Sequence, residues 1–258
     1  EPKASATPNA SPGVAAGELA AGSVRRTRFY DAAHEHKCEE GVEVAGVRQG
    51  SWMEWTESGA LQADGAYKDG LREGVWHAYY PDGKPLREAL FVAGKEHGPS
   101  REFHPTGELA AEGVNAVGVK EGLWTRFYVN GQKADAGNYA AGQKTGTWTQ
   151  WHDNGQRMSL GTYVAGKEDG VFSKWFAGGQ LQTESHFKNG KLDGSMKGWY
   201  ADGVVAEDVN WIDGKLHGES RSFHANGKPK AAGRFEQGLR VGRWTAWFDN
   251  EHKLSEGE

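Results

Sequence analysis

A glycine recurs every 24 residues along most of this chain, with no insertion or deletion between the copies. The nine glycines in phase are Gly50, Gly74, Gly98, Gly122, Gly146, Gly170, Gly194, Gly218 and Gly242. A fixed period of this length is the sequence signature of a repeat array, in which each copy packs only on its neighbours. The period therefore constrains the fold more strongly than any local motif does. Positions are counted below from each opening glycine as zero.

Large rings occupy three positions of the repeat. Position five is aromatic in all nine copies, namely Trp55, Tyr79, Phe103, Phe127, Trp151, Trp175, Trp199, Phe223 and Trp247. Position two is mostly Trp, with Phe172 and Met196 as apolar substitutes and Ser100 and Ser220 as weak copies. Position seventeen is aromatic in seven of eight copies, Asn115 being the exception. These rings predict a shared aromatic core, since each ring pair adds roughly 0.5–1.5 kcal/mol beyond its burial.

The remaining glycines predict the turns. Position nine is Gly in eight of nine copies and often follows Asn or Asp, as in Asn154-Gly155, which predicts a tight hairpin with positive φ at both residues. Position twenty is Gly in all eight complete copies and, with the next opening glycine, predicts a second turn. The 38 glycines disfavour helix. We therefore predict an all-β, elongated, single-layer antiparallel β-hairpin array of nine 24-residue repeats.

Three regions follow from the composition along the chain. Residues 1–23 are rich in Ala, Pro and Ser and predict a flexible lead-in. Residues 24–49 predict a degenerate capping repeat, and residues 50–258 form the array, whose last repeat is truncated. The sequence begins at Glu1 rather than Met, which leaves a removed signal peptide, a lipid-anchored cysteine and a cleaved tag as alternatives. The lead-in is then either the stalk of a lipoprotein or a plain disordered terminus.

Charge and hydropathy narrow the classes of partner. The net charge is −5 and both signs are mixed along every repeat, which argues against a nucleic-acid binder and against simple attraction to anionic lipid. No apolar stretch is long enough to predict a transmembrane helix. If residues 1–23 are a stalk, the protein is expected in the cell envelope, the periplasm or the exterior rather than in the cytoplasm. The sequence gives no other indication of its compartment.

Two local patterns invite a chemical interpretation. His34, His36 and Cys38 alternate on one predicted strand, but zinc sites draw ligands from two separated pairs, so we predict no metal site and a polar capping strand instead. Cys38 is the only cysteine, which excludes an intramolecular disulfide. Gly161 to Lys167 resembles the start of a phosphate-binding loop, but Glu168 follows where Ser or Thr is required. We predict no cofactor and no catalytic residues.

Several segments resemble a known family. The stretches Tyr67–Trp76, Tyr139–Trp148 and Phe187–Gly194 are similar to MORN repeats, and the added Trp-x-x-aromatic and Asn-Gly half resembles the longer bacterial variant labelled as a YwqK-family toxin–antitoxin antitoxin. The resemblance covers residues 50–258. It implies an antiparallel β array used for binding and scaffolding, with a protein partner, and brings no catalytic residues.

Position six supplies the candidate binding residues. It follows the invariant ring, yet it is itself aromatic or His in eight copies: Tyr80, His104, Tyr128, His152, Phe176, Tyr200, His224 and Phe248. If exposed, this stripe marks a binding surface. The alternative is that twist or a bulge tucks these side chains into the repeat junctions.

The sequence thus predicts a non-catalytic repeat scaffold that binds a protein partner through an aromatic-lined face, in an adaptor or antitoxin-like role. An envelope-tethered protein that contacts lipid headgroups or glycan is the alternative, and an enzyme is a remote third.

Overall fold

The computed structural model describes residues 21–257, and every regular element in that range is a β-strand. The predicted all-β hairpin repeat fold is confirmed. No helix of a length and hydropathy that would cross a membrane occurs between residues 21 and 257. Residues 1–20, which make up most of the predicted lead-in, lie outside the described residues.

The chain divides into two units at Lys95/Glu96. The first unit contains β1 (Ser23–Phe29), β2 (Lys37–Val44), β3 (Val47–Trp55), β4 (Leu61–Lys68), β5 (Leu71–Tyr79) and β6 (Pro85–Val92). Each of these strands pairs antiparallel with the next one along the chain, from β1–β2 to β5–β6. The predicted boundary between capping repeat and array falls inside β3 and stays a prediction.

The second unit continues the same strand–turn–strand order. Its strands are β7 (Lys95–Phe103), β8 (Leu109–Ala116), β9 (Val119–Phe127), β10 (Lys133–Ala140), β11 (Gln143–Trp151), β12 (Arg157–Val164), β13 (Lys167–Glu168), β14 (Gly170–Trp175), β15 (Leu181–Lys188), β16 (Lys191–Trp199), β17 (Val205–Ile212), β18 (Lys215–Phe223), β19 (Pro229–Glu236), β20 (Leu239–Trp247) and β21 (Lys253–Gly257). Sequential strands again pair antiparallel, with β13 and β14 together forming one partner of β12.

The two turns of each repeat differ in type, and the predicted assignment of positive φ was wrong for the first. At the Asn-Gly turn only the glycine, such as Gly131 (φ 79°), has positive φ, and its N–H donates to the Tyr128 carbonyl at 2.9 Å. This is a type I turn followed by a glycine bulge. The two-residue turn with positive φ at both positions lies at positions nineteen and twenty, for example Asp69 (53°) and Gly70 (78°).

The sequence had predicted that the opening glycine frames a turn. In the structure this glycine instead interrupts a strand. Gly74 lies inside β5 with φ of 75°, and the pairing of β4 with β5 shifts between Asp64 and Ala66 at that point. The residues Gly74 to Trp76 bulge opposite one residue of β4. A glycine suits this place because a bulge residue of this kind adopts a left-handed conformation.

The bulge lays the position-two ring across the backbone of the previous strand. The ring of Trp76 covers Gly65 so closely that a methyl group on Gly65 would overlap it, and the same holds for Trp148 over Gly137. The indole N–H of Trp76 donates to the carbonyl of Ala66 at 2.9 Å. Trp76 is 3% exposed. The core of this single sheet is therefore built by rings that pack flat on glycines.

Sequence pairs eleven residues apart agree with this packing. Glycine stands at position fifteen wherever the ring follows, in the pairs Gly41–Trp52, Gly65–Trp76, Gly113–Trp124, Gly137–Trp148, Gly161–Phe172 and Gly233–Trp244. Where position fifteen carries a side chain, no ring follows: Ser185 pairs with Met196 and Val209 with Ser220. Position fifteen is thus a structural position that the predicted aromatic pattern had missed.

The rings also stack on each other and carry cations. In the second unit Trp124, Tyr139 and Trp148 contact edge-to-face, with centroids 6.5 and 5.1 Å apart. The ammonium group of Lys144 lies 4.1 Å from the Trp148 ring centroid, and burial lowers the pKa of Lys144. Such cation–π contacts strengthen when water is excluded. Equivalent cations are Arg48, Arg72, Lys120 and Arg240.

The third repeat replaces this apolar set with polar groups. Ser100 and Asn115, at the two ring positions, are 2% and 4% exposed, and the Asn115 amide donates to the Glu96 carboxylate at 2.6 Å. Glu96 stands where other repeats carry the cation. The weak copy seen in the sequence is therefore a buried hydrogen-bonded substitute for the ring stack.

We expect the ring–glycine contact to be strongly coupled. Gly137→Val should destabilise the protein by roughly 1–3 kcal/mol, because the new side chain overlaps Trp148. In a Trp148→Ser background the same change should be neutral or stabilising, as in the natural Val209–Ser220 pair. Denaturant unfolding of the four proteins measures this coupling. An equal cost of Gly137→Val in both backgrounds would contradict it.

Candidate binding groove

The position-six side chains lie at the repeat junctions, at the point where a strand enters the type I turn. Tyr128, His152 and Tyr200 are half-buried, whereas Phe248 is 49% exposed. Tucking into the junctions is one of the two alternatives left open by the sequence, and the half-buried state agrees with it. The side chains at this position remain partly exposed, so a binding role for these residues stays a prediction.

The polar tips of these side chains are occupied. The Tyr128 hydroxyl donates to the carbonyl of Trp151 in the next repeat at 2.8 Å. The same contact, 23 residues ahead, is made by His104, His152, Tyr200 and His224, at 2.8–3.0 Å. Tyr30 makes an equivalent contact with the Trp55 carbonyl, 25 residues ahead, at 2.8 Å. Because each acceptor is the carbonyl of the next position-five residue, the stripe fastens one repeat to the next. The rings are therefore held rigid by the fold.

Asparagines at position eight form a second row of inter-repeat bonds. The Asn130 amide donates to the Asp153 carbonyl at 2.7 Å, while its oxygen accepts the Gln132 N–H at 3.0 Å. Asn154 and Asn226 repeat both contacts. The Asn-Gly pattern thus serves both its own turn and the adjacent repeat.

Consecutive position-six side chains wall a recurring cavity. Between His104 and Tyr128 lies a cavity of about 400 Å³, here named the central cavity. Its lining also includes Glu102, Ala110, Ala111, Arg126, Phe127, Ala134, Asp135, Gln150 and Met158. A second cavity of about 400 Å³ lies between His224 and Phe248 and is lined by residues at the same repeat positions, including Ala231 and Leu254. We call this row of cavities the groove.

An ion pair lies in the central cavity. Asp135 is 2% exposed, and the Arg126 guanidinium donates to both of its carboxylate oxygens, with Nε–Oδ2 at 2.8 Å and Nε–Oδ1 at 3.0 Å. The hydrogen bonds to Asp135 raise the pKa of Arg126 above its ordinary value. Bidentate pairs of this kind fix the orientation of the guanidinium. The sequence offered one signal for this pair: both residues replace the small or neutral side chains of most other repeats.

The predicted phosphate-loop mimic is a repeat turn, as expected. Gly161 lies under the ring of Phe172, and Gly166 occupies the two-residue turn, where its N–H donates to the Lys144 carbonyl at 2.9 Å. Strand β13 follows in place of the helix that a phosphate loop requires.

Local contacts hold the side chains of the predicted cluster apart, namely those of His34, His36 and Cys38. The His34 ring stacks on Phe29 with centroids 4.7 Å apart, and His36 Nδ1 lies 2.9 Å from Asp31 Oδ2. No group of three or more metal-ligating side chains in metal-binding geometry is found across residues 21–257. Asp31 accepts hydrogen bonds from the backbone N–H groups of Glu35 and His36.

We expect the Tyr128 hydroxyl to stabilise the repeat junction. Tyr128→Phe should lower the free energy of unfolding by about 1 kcal/mol, because the Trp151 carbonyl loses its donor. Tyr163→Phe is the control, since the Tyr163 hydroxyl makes no hydrogen bond within the part of the chain that the structure describes. Denaturant unfolding measures both. A cost for Tyr163→Phe as large as for Tyr128→Phe would contradict the junction role.

We also expect the 31–36 loop to resist acid. Hydrogen bonding, first from the Glu35 N–H and then from His36, lowers the pKa of Asp31 from 3.8 to about 2. A lowered carboxyl pKa contributes stability that is present above pH 3.8 and is lost as the pH falls through about 2. A carbon-detected NMR titration of the Asp31 carboxyl should show that midpoint. A midpoint near 4 would show that the loop is not formed in solution.

Comparisons with known proteins support the repeat assignment. The model of the MORN repeat variant matches residues 72–93, 144–165, 168–189 and 216–237, about a third of the chain. No curated protein matches the sequence.

Among solved structures, a crystal structure of TcdB2–TccC3 aligns at 11% identity and a TM-score of 0.22, covering 87% of this chain and 14% of that one. The same complex without its hypervariable C-terminal region aligns at 11% identity and a TM-score of 0.21, with 87% and 14% coverage. The chain thus spans about a seventh of these proteins, and a likeness at this level carries no argument. Four repeats of the chain match the MORN repeat variant.

Proposed function

We propose that this chain is a non-catalytic repeat scaffold that binds a protein partner in the groove. The observation that carries the proposal is the recurrence of one cavity, walled by consecutive position-six side chains, at two places in the second unit. A cavity repeated with the period suits a partner that is itself extended. An antitoxin-like role would be one form of this function, with a toxin as the partner.

The state of the groove residues favours binding. Tyr128 and His104 are fixed by hydrogen bonds to the next repeat, so little side-chain entropy remains to be lost on association. The floor consists of small residues, Ala110, Ala111 and Ala134, which let a partner approach the sheet. The residues at the groove are mixed in charge and rich in rings, a composition typical of protein interfaces.

The protein's own repeats supply a way to block the groove. Position twelve is Ala134 in the central cavity but Leu86 and Leu254 in other repeats, so the fold accepts leucine at that position. Ala134→Leu should fill the cavity without unfolding the array. Ala206→Leu is the matched control, since Ala206 occupies the same position of the repeat but lines neither of the two cavities.

We expect the blocked variant to lose its partner. The wild-type chain and Ala206→Leu, used as baits on extracts of the source cells, should retain the same protein, and Ala134→Leu should retain about tenfold less. Quantitative mass spectrometry followed by titration of the purified partner measures the difference. Equal retention by all three baits would contradict the groove as the binding site, and the absence of any specific partner would contradict the proposed function.

A further inference from the structure

We propose that a cavity lined by Phe172 and Phe187 binds the guanidinium group of an arginine side chain on the protein partner. This inference rests on the proposed function and specifies a chemical feature of its partner. The cavity, here named the Phe172 cavity, has a volume of about 320 Å³ and lies in the second unit. Its lining includes Glu168, Phe172, Ser185, Phe187, Leu192 and Met196.

The first support is a comparison of the repeats at position twenty-two. Four pairs of rings are preceded there by a cation, whose charged group lies 3.9–4.6 Å from the centre of the position-two ring and 5.1–5.7 Å from the position-seventeen ring: Arg48, Arg72, Lys120 and Lys144. The rings of Phe172 and Phe187 are a pair of the same kind, 5.1 Å apart, but Glu168 precedes them. This ring pair therefore lacks the cation that the fold places over its equivalents.

The second support is the state of the Glu168 carboxylate. A carboxylate occupies position twenty-two at one other place, where Glu96 accepts a hydrogen bond from the Asn115 amide at 2.6 Å. The residue equivalent to Asn115 in the Phe172 cavity is Phe187, which has no donor to offer. Glu168 is half-buried, and its carboxylate makes no hydrogen bond or ion pair within residues 21–257. A partly buried charge without a partner is costly, and a cation brought by the ligand would remove that cost.

The third support is the supply of acceptors, which favours a guanidinium over an ammonium group. Ser185 is 7% exposed and lines the Phe172 cavity, and its hydroxyl makes no hydrogen bond within the described part of the chain. Gln182 and Thr183 line the same cavity and add two more side-chain oxygens. A guanidinium group carries five N–H donors in one plane, stacks on aromatic rings and pairs with a carboxylate through two parallel hydrogen bonds. The carboxylate, the polar oxygens and the phenyl rings of the cavity match these requirements.

The fourth support is the origin and the location of the cavity. Ser185 stands where other repeats have the covered glycine, and Met196 replaces the ring that would lie over it, so this part of the sheet is not filled by the chain itself. Lys174, Gln182 and Thr183 occupy positions four, twelve and thirteen, which also line the central cavity. Both cavities therefore lie on the same face of the sheet, where one partner can contact both.

Two lysines bear on the charge of this site. Burial lowers the pKa of Lys144 more than the charge of Glu168 raises it, and the Lys144 ammonium group lies over Trp148. Lys174 is exposed, and six residues of strand, roughly 20 Å, separate it from Glu168, so it borders the far end of the cavity. Neither lysine forms an ion pair with Glu168 among the residues that the structure describes. The carboxylate thus remains available to a ligand.

The test titrates the full chain with a defined peptide. The probe is a blocked peptide with one arginine between glycines, and two control peptides carry lysine or citrulline in place of the arginine. The variant Glu168→Gln removes the charge of the cavity, and Glu168→Lys restores the cation that Lys144 supplies one repeat earlier. Glu184→Gln is the matched control, because Glu184 is exposed and, as the neighbour of Ser185, lies on the opposite face of β15.

NMR of the methionine methyl groups follows the titration, and circular dichroism verifies that each variant is folded. The signal of Met196 reports on the Phe172 cavity, and that of Met158 reports on the central cavity. We expect the arginine peptide to shift the Met196 signal of the wild-type chain and of Glu184→Gln with the same dissociation constant. It should bind Glu168→Gln about tenfold more weakly and Glu168→Lys more weakly still.

Each control peptide should bind the wild-type chain about tenfold more weakly than the arginine peptide. Equal binding of the lysine or the citrulline peptide would overturn the inference. Equal binding by Glu168→Gln, or a shift of the Met158 signal alone, would overturn it as well.

Capture from cell extracts connects the cavity to the partner. As a bait, Glu168→Gln should retain about tenfold less of the protein that the wild-type chain and Glu184→Gln retain. Suppose that a protein is captured and that Ala134→Leu loses it. Only this inference then falls if the arginine peptide does not bind or if Glu168→Gln retains the protein in full. If no bait captures a specific protein, the proposed function falls and this inference falls with it.

Discussion

The packing of a flat ring on a bare glycine backbone holds this protein together. A single sheet has no second layer to cover it, so its apolar side chains must find burial on the sheet itself. Trp52, Trp124 and Trp148 reach 1–4% exposure by covering Gly41, Gly113 and Gly137. A side chain at position fifteen would hold the ring away from the sheet and expose both to water. The ring and the glycine therefore depend on each other.

That contact also sets the local geometry of each repeat. The ring can turn over the preceding strand only because its own strand bulges at the opening glycine. The bulge shifts the pairing register at that point, as between Ala136 and Asn138. The indole N–H then bonds a carbonyl that the bulge leaves near it, as Trp148 does with Asn138 at 3.1 Å. Packing, bulge and hydrogen bond are thus one arrangement repeated along the chain.

The groove follows from the same repetition. Once the repeats are held in register, a Tyr or His at position six, such as Tyr128, meets the carbonyl of the next position-five residue, and one cavity lies between His104 and Tyr128 and another between His224 and Phe248. The repeats differ mainly in what lies within that cavity, with the Arg126–Asp135 pair in one and Lys230 and Leu254 in another. Under the proposed function, the side chains that differ between repeats would determine what each repeat contacts on the partner.

The sequence by itself determined the period, the β-strand class and the ring positions, because a glycine and ring pattern repeated at 24 residues is compatible with few backbone conformations. It could not decide which glycine bends a strand and which makes a turn: Gly74 and Gly83 both have positive φ, one in a bulge and one in a type I turn. Nor could it decide the environment of Tyr128. Its hydroxyl acceptor lies 23 residues away and comes within 2.8 Å only when the repeats stack. Local pattern fixes local conformation, whereas the pairing of repeats, which brings distant carbonyls and side chains together, exists only in the tertiary structure.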